Sequence, residues 1–189
     1  MFLQCLPGIS IVLLVVGILC MYRWFCRRKK RECISVDKEK EVKTLSGRKR
    51  AMQVRIRVIY GERQQINIFC YKLDEEKQIG ELLASIQKEE VHLEQILVSR
   101  HYRKKGVGKL MFSYLLKEMR RIEQQMGVDF RRIYGEIGQG GTDDPRVSLP
   151  FYQHMDGAPY GEKKLSLRIN KGAALDGLDQ FIYYIVEKS

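Results

Sequence analysis

A chain of 189 residues with 34 lysines and arginines against 23 aspartates and glutamates has a formal charge of +11, and that charge is unevenly placed. Residues 23–50 hold 12 basic and 4 acidic side chains and residues 1–22 hold none, leaving +3 for residues 51–189. The high isoelectric point is therefore no argument for nucleic-acid binding by the folded part, and five cysteines without a C-x-x-C pair or Cys/His spacing leave zinc and a disulfide framework unsupported.

Met1 to Tyr22 is apolar apart from Gln4, Ser10 and the glycines. A helix of about 20 such residues spans a bilayer core. Arg23, Trp24, Arg27, Arg28, Lys29, Lys30 and Arg31 follow at once, an aromatic anchor and then a basic cluster. This predicts one transmembrane anchor over residues 1–26, with the lipid bilayer as partner and the C-terminal domain in the cytoplasm. A cleaved signal peptide fits less well, because MFLQC lacks a charged start and no small-x-small site precedes the basic run. A lipoprotein site at Cys20 would place bulky Leu19 where a small residue belongs. Cys26 and Cys33 stand near the membrane, where acylation is the alternative to inert thiols. Residues 27–50 read as a charged, solvated linker whose basic half lies against anionic headgroups, at about 1 kcal/mol per Lys or Arg.

The remaining 139 residues suffice for one domain over 51–189. Val54, Ile56, Val58 and Tyr60 alternate with Arg55, Arg57 and Ile59, predicting a strand over 52–60. After Gly61-Glu62-Arg63, residues 65–73 predict a second strand, 79–86 a third and 91–98 a fourth. Leu110 or Met111, Leu115, Met119, Ile122 and Met126 recur at helical spacing, and Gly127 supplies the stop. Residues 130–137 predict a fifth strand. A short helix carrying Phe151 and Tyr152 follows, limited by Pro150 to a start just before it. Residues 165–169 and 181–186 predict a closing antiparallel pair.

Between the fourth strand and the long helix stands ILVSRHYRKKGVGK, Ile96 to Lys109. An apolar strand, a basic loop, two glycines one residue apart and a helix start together make a phosphate cradle. Glycines let backbone approach an anion, and the first N–H groups of the helix point at it. Arg103, Lys104, Lys105 and Lys109 add positive charge. The loop lacks the G-x-x-x-x-G-K-S/T spacing of a nucleotide P-loop and the three-glycine dinucleotide pattern, so a CoA pyrophosphate fits better than ATP or NAD.

The string Arg103 to Gly108 resembles the R-x-x-G-x-G acyl-CoA signature of the GNAT family of N-acetyltransferases. The resemblance is strong over residues 64–157. It implies an α/β (α+β) acyl-CoA N-acyltransferase fold, a mostly antiparallel sheet with one parallel, splayed pair, and acetyl-CoA as co-substrate. It also implies that Leu97, Val98, Arg103, Lys104, Lys105, Gly106, Val107, Gly108 and Lys109 hold the cofactor. The family commonly has Pro and Gly where this chain has Arg100 and Lys104. It also places two acceptor-building helices between its first two strands, where this chain has a few residues; either those helices are missing or the 35–50 region replaces them, so the amine acceptor is left unnamed. A non-catalytic acyl-CoA-binding module on the same fold is the alternative.

Amine acetylation needs a neutral amine, a polarised thioester and a proton for the leaving thiolate. The family often supplies that proton from a tyrosine in a motif like F-Y-x-x-x-G. Phe151 to Gly157 resembles it with one extra residue, placing Tyr152 at the acid position; a phenol near pKa 10 suits the task. A base tends to lie on the fourth strand. Alternation puts His92, Glu94, Ile96 and Val98 on one face, making Glu94 the first candidate, with His92 and Glu136 behind it. His101 and His154 read as surface residues.

Overall fold

The alternation of Val54, Ile56, Val58 and Tyr60 is realised as one buried row on a strand. The structure is a computed structural model that describes residues 38–46, 51–61, 64–137, 145–173 and 178–188. Its elements are β1 (Lys38–Ser46), β2 (Ala51–Tyr60), β3 (Gln65–Lys72), β4 (Lys77–Gln87) and β5 (Glu90–Val98), then a 3-10 turn (Arg100–Tyr102). Helix α1 (Val107–Met126), β6 (Arg132–Ile137), helix α2 (Pro145–His154), β7 (Pro159–Tyr160), β8 (Lys163–Asn170) and β9 (Asp179–Glu187) complete them. The transmembrane segment expected over residues 1–26 lies outside the described residues. Among the described residues no helix is long and apolar enough to cross a membrane.

The strands form one sheet in the order β1-β2-β3-β4-β5-β6-β9-β8-β7. Every neighbouring pair is antiparallel except β5 and β6. On one face Ile56, Val58, Ile66, Ile68, Leu82 and Ala84 stand in register across β2, β3 and β4, all at most 4% exposed. Helix α1 covers them with Met111, Phe112, Leu115, Met119 and Ile122. Each such side chain contributes roughly 1.5–3 kcal/mol by leaving water. Among the described residues, Glu118 on the inner side of α1 is a buried charged residue. It accepts from the Tyr60 hydroxyl and, at 2.6 Å, from Arg121 Nε. Burial first, then the Glu118 carboxylate, push the Tyr60 phenol well above its ordinary range. Cys70 is fully buried in the same layer, and burial raises its thiol to about 12, which removes it as a nucleophile.

Lys38–Ser46, part of the expected linker, is instead strand β1, paired antiparallel with β2 from Lys38↔Val58 to Ser46↔Ala51. Its sequence, KEKEVKTLS, lacks the apolar alternation of a half-buried strand. What it gains is the backbone ladder of an otherwise open edge, and lysine-rich edge strands resist further pairing. Pro150 also departs from expectation. The helix starts at Pro145, whose fixed φ suits a first helical position, and Pro150 lies inside it. Strand β6 starts two residues later than predicted. Phe130 is bound to the end of α1, its N–H donating to Glu123 Oε1 at 2.9 Å.

The largest correction is inside β5. Ala84 pairs with Leu93 but Leu83 pairs with Gln95, so Glu94 is an extra residue, a β-bulge. Through their β4 partners, Val91, Leu93, Ile96 and Val98 share the helix-covered face. The expected row of His92, Glu94, Ile96 and Val98 is therefore broken, because one inserted residue reverses the phase of the alternation.

Candidate functional site

Strands β5 and β6 pair through three residue pairs, Glu90↔Arg132, Val91↔Ile133 and His92↔Tyr134. Beyond them the strands part. The closed end of this V is marked by the His92 ring stacked on Tyr134, with centroids 4.9 Å apart. Gly135 comes next on β6, where a Cβ would stand 2.5 Å from the Leu93 carbonyl oxygen and 2.7 Å from the Phe181 ring. Only a residue without a side chain lets the strands meet there before they diverge. Glu94 bulges from β5 at this level. Glu136 lies one residue past Gly135, and its Oε2 is buried with no hydrogen-bond partner among the described residues. A buried carboxylate oxygen left unpaired costs about 1–3 kcal/mol or more.

Strand β5 ends at Leu97 and Val98, and the loop follows. The Ser99 N–H donates to Ile79 O at 2.9 Å and the Tyr102 N–H to Ser99 O at 2.8 Å. Arg103 turns back, its Nε donating to the Val98 carbonyl at 3.0 Å. The Lys105 ammonium lies 5.2 Å from the Tyr102 ring centroid, and the Tyr102 hydroxyl reaches towards Glu75 Oε2 at 3.5 Å. Lys104 is exposed, with a left-handed φ of 58°. Gly106 caps α1 with a φ of 85° and offers no side chain to the helix end. The N–H groups of Val107, Gly108 and Lys109 thus have no acceptor within the helix, and the helix dipole adds positive potential there. Lys109 is exposed beside them. This donor set fits a pyrophosphate.

Helix α2 seats against the same point. A Cβ on Gly108 would stand 3.2 Å from the Phe151 ring, and Phe151 meets Phe112 edge-on with centroids 6.2 Å apart. Tyr152, 7% exposed, stacks on Phe181 at 4.0 Å. Its carbonyl accepts from the Tyr183 hydroxyl at 2.6 Å. Burial pushes the Tyr183 phenol well above its ordinary range, so it stays a donor. Phe112, Phe151, Tyr152 and Phe181 form one chain of rings from α1 to β9. The sequence-derived residues are brought together in two groups: Leu97 to Lys109 with Tyr152 at the head of α1, and His92, Glu94 and Glu136 along the V. His101 and His154 are exposed. Sequence reasoning missed Gly135, Phe181 and Tyr183. A glycine within a strand run and the aromatic run Phe181-Ile182-Tyr183-Tyr184 were the available signals.

Residues 31–129, just over half the chain, match the model of the acetyltransferase (GNAT) family. The chain belongs to that family. The matched residues include β1 to β5, the basic loop and α1; β6 and Tyr152 lie beyond them. A search of curated proteins returned no match. Similar solved structures include an acetyltransferase of the GNAT family from Staphylococcus aureus, at 16% identity and a TM-score of 0.46, covering 66% of this chain and 70% of that one. They also include the PaiA N-acetyltransferase of Thermoplasma acidophilum in complex with coenzyme A, at 12% identity and a TM-score of 0.44, covering 64% and 61%. The mixed sheet with a single parallel, splayed pair is the GNAT arrangement expected from the sequence. As the sequence indicated, only a few residues connect β2 to β3, and strand β1 lies within the residues that the GNAT family model matches. Among the described residues no group of three or more His, Cys, Asp or Glu side chains is gathered to hold a metal.

Proposed function

We propose that this protein transfers an acetyl group from acetyl-CoA directly to an amine, as a domain tethered to the cytoplasmic face of a membrane. The observation that carries the reading is the cradle at the head of α1, opening beside a V between two parallel strands in a chain of the acetyltransferase family. The amides of Val107, Gly108 and Lys109 hold the pyrophosphate, with Lys104 and Lys109 adding charge. The pantetheine arm enters the V. Glu94, or Glu136 from the other strand, takes the proton from the ammonium, directly or through a water, so that the neutral amine attacks the thioester carbonyl. As the C–S bond breaks, the Tyr152 hydroxyl gives its proton to the departing sulfur, and the amide and free CoA leave. Tyr152 stands close to the cradle through Phe151, which favours it for this role.

Direct binding of CoA tests the cradle. In Gly108→Val the branched side chain meets the Phe151 ring and narrows the backbone approach, so calorimetry is expected to show CoA affinity at least tenfold weaker, about 1.4 kcal/mol. Unchanged affinity would remove the loop from the site. The tether rests on the sequence alone, on the uncharged run ending at Tyr22 and the basic cluster after it. Carbonate washing is expected to leave the full chain in the membrane pellet, and protease outside intact cells to spare the domain. Release by carbonate, or cleavage from outside, refutes the assignment. The short turn between β2 and β3 favours a second reading, an acyl-CoA-binding module without turnover. CoA binding without acetyl transfer to any member of an amine panel would select it.

A further inference from the structure

The outward face of α1 carries charge of one sign. Lys109, Lys117 and Arg120 are exposed. With Ser113 and Gln124 they fall within an arc of roughly 80° over roughly 20 Å of helix, at 100° and 1.5 Å per residue. The two acidic residues of α1 are turned inward or engaged. Glu118 is 6% exposed and bound by Tyr60 and Arg121, and Glu123 accepts the Phe130 N–H. Two of the exposed cations are held in place. The Lys117 ammonium lies 5.5 Å from the Tyr114 ring centroid. The Arg120 guanidinium packs over Gly161, so close that a Cβ there would stand 2.9 Å from it. Held side chains lose little freedom on binding. The stripe itself lines an open cleft of about 890 Å³, whose other walls include Met155, Ala158 and Pro159. No aromatic ring of the stripe is exposed, Tyr114 being 8% exposed, so it lacks the stacking platform of a single-stranded nucleic-acid site.

We propose that this stripe docks the domain on an anionic lipid surface, with Lys117 and Arg120 as its principal contacts. The choice of partner rests on the membrane tether proposed above. The juxtamembrane cluster Arg27 to Arg31 has the same sign, so one anionic leaflet attracts both. Each well-placed Lys or Arg strengthens such attraction about fivefold. The docked domain has one preferred face towards the membrane, which sets the side from which acceptors arrive.

The test uses the full chain in nanodiscs of phosphatidylcholine alone or of phosphatidylcholine with phosphatidylserine, and reads acylation of Lys117 by an amine-reactive label with mass spectrometry. Lys117 is expected to react about fivefold more slowly in the phosphatidylserine discs. The protection should vanish at high salt and in Arg120→Glu, whose circular dichroism should match that of the parent. Equal reactivity in the two lipids overturns the proposal. So does protection in phosphatidylserine discs that survives both salt and Arg120→Glu. Failure of the tether is read separately, as a chain that does not co-purify with discs of either lipid. The free chain is then sedimented with vesicles of the two compositions, and binding of equal strength to both overturns the docking surface. Protection of Lys117 by an acidic peptide or by RNA, with none from phosphatidylserine, also overturns it in favour of that partner.

Discussion

Tyr152→Phe is expected to lower kcat by roughly 10²- to 10⁴-fold, the usual worth of a general acid, while CoA affinity stays within about twofold. The split follows from how the ring is held. Its stack on Phe181 and its edge contact with Phe151, at 5.3 Å, use the aromatic carbons, and Tyr183 bonds its backbone carbonyl. Phenylalanine keeps all three contacts and loses only the hydroxyl. A residue that merely packed would show no kinetic change, and one that positioned the cofactor would change affinity together with rate. The alkaline limb of the pH–rate profile is expected to change in Tyr152→Phe, whereas Glu94→Gln should alter the acid limb and leave the alkaline one. Wild-type turnover in Tyr152→Phe, with any active acceptor, removes Tyr152 from the mechanism.

Gly135→Ala is expected to destabilise the protein by about 3 kcal/mol, the upper end of the cost of overpacking. The added Cβ meets a backbone oxygen on one side and a buried ring on the other. The oxygen belongs to Leu93, so relief requires β5 to move off β6 at the place where the V begins. Phe181 is fully buried and in turn supports Tyr152. A lower urea midpoint and weaker CoA binding should therefore appear together. Gly127→Ala gives the comparison. Its Cβ would meet nothing within 4 Å, but its φ of 65° is left-handed, so the expected loss is about 1 kcal/mol with CoA binding unaffected. Equal midpoints for Gly135→Ala and the parent would show that the strands are not pinned there.

The parts of this fold that were legible in sequence are those with a strong local cause. The period of Val54 to Tyr60, the helical recurrence of Leu115, Met119 and Ile122, and the Gly127 stop each follow from the burial of one face or from a single backbone preference. The loop Arg103 to Gly108 was legible because glycine, charge and a helix start coincide. Strand β1 was not, since Lys38 to Ser46 has little apolar periodicity and its pairing is a property of the free edge of β2. The bulge at Glu94 was hidden for a different reason. A single inserted residue leaves no mark in composition, yet it moved Ile96 and Val98 away from the face expected for His92. Nor could sequence bring Phe181 and Tyr183 to Tyr152. They meet because β9 crosses back beside β6, a long-range event with no local signal.

The three residue pairs that join β5 to β6 have a consequence for how the chain reaches its final form. Strands β2 to β5 are successive hairpins with short turns, which close quickly and independently of the rest. The parallel seam can form only once residues 93–131 have been looped out, and longer loops cost more entropy to close. The seam is therefore a late event in assembly, with little local structure to hold it open or shut beforehand. A truncated or stalled chain ending near residue 129 would have the phosphate loop and its helix but no second wall for a thioester. The capacity to grip the nucleotide end of CoA and the capacity to present its acyl end thus arise at different stages of folding, the second only once the carboxy-terminal strands have docked.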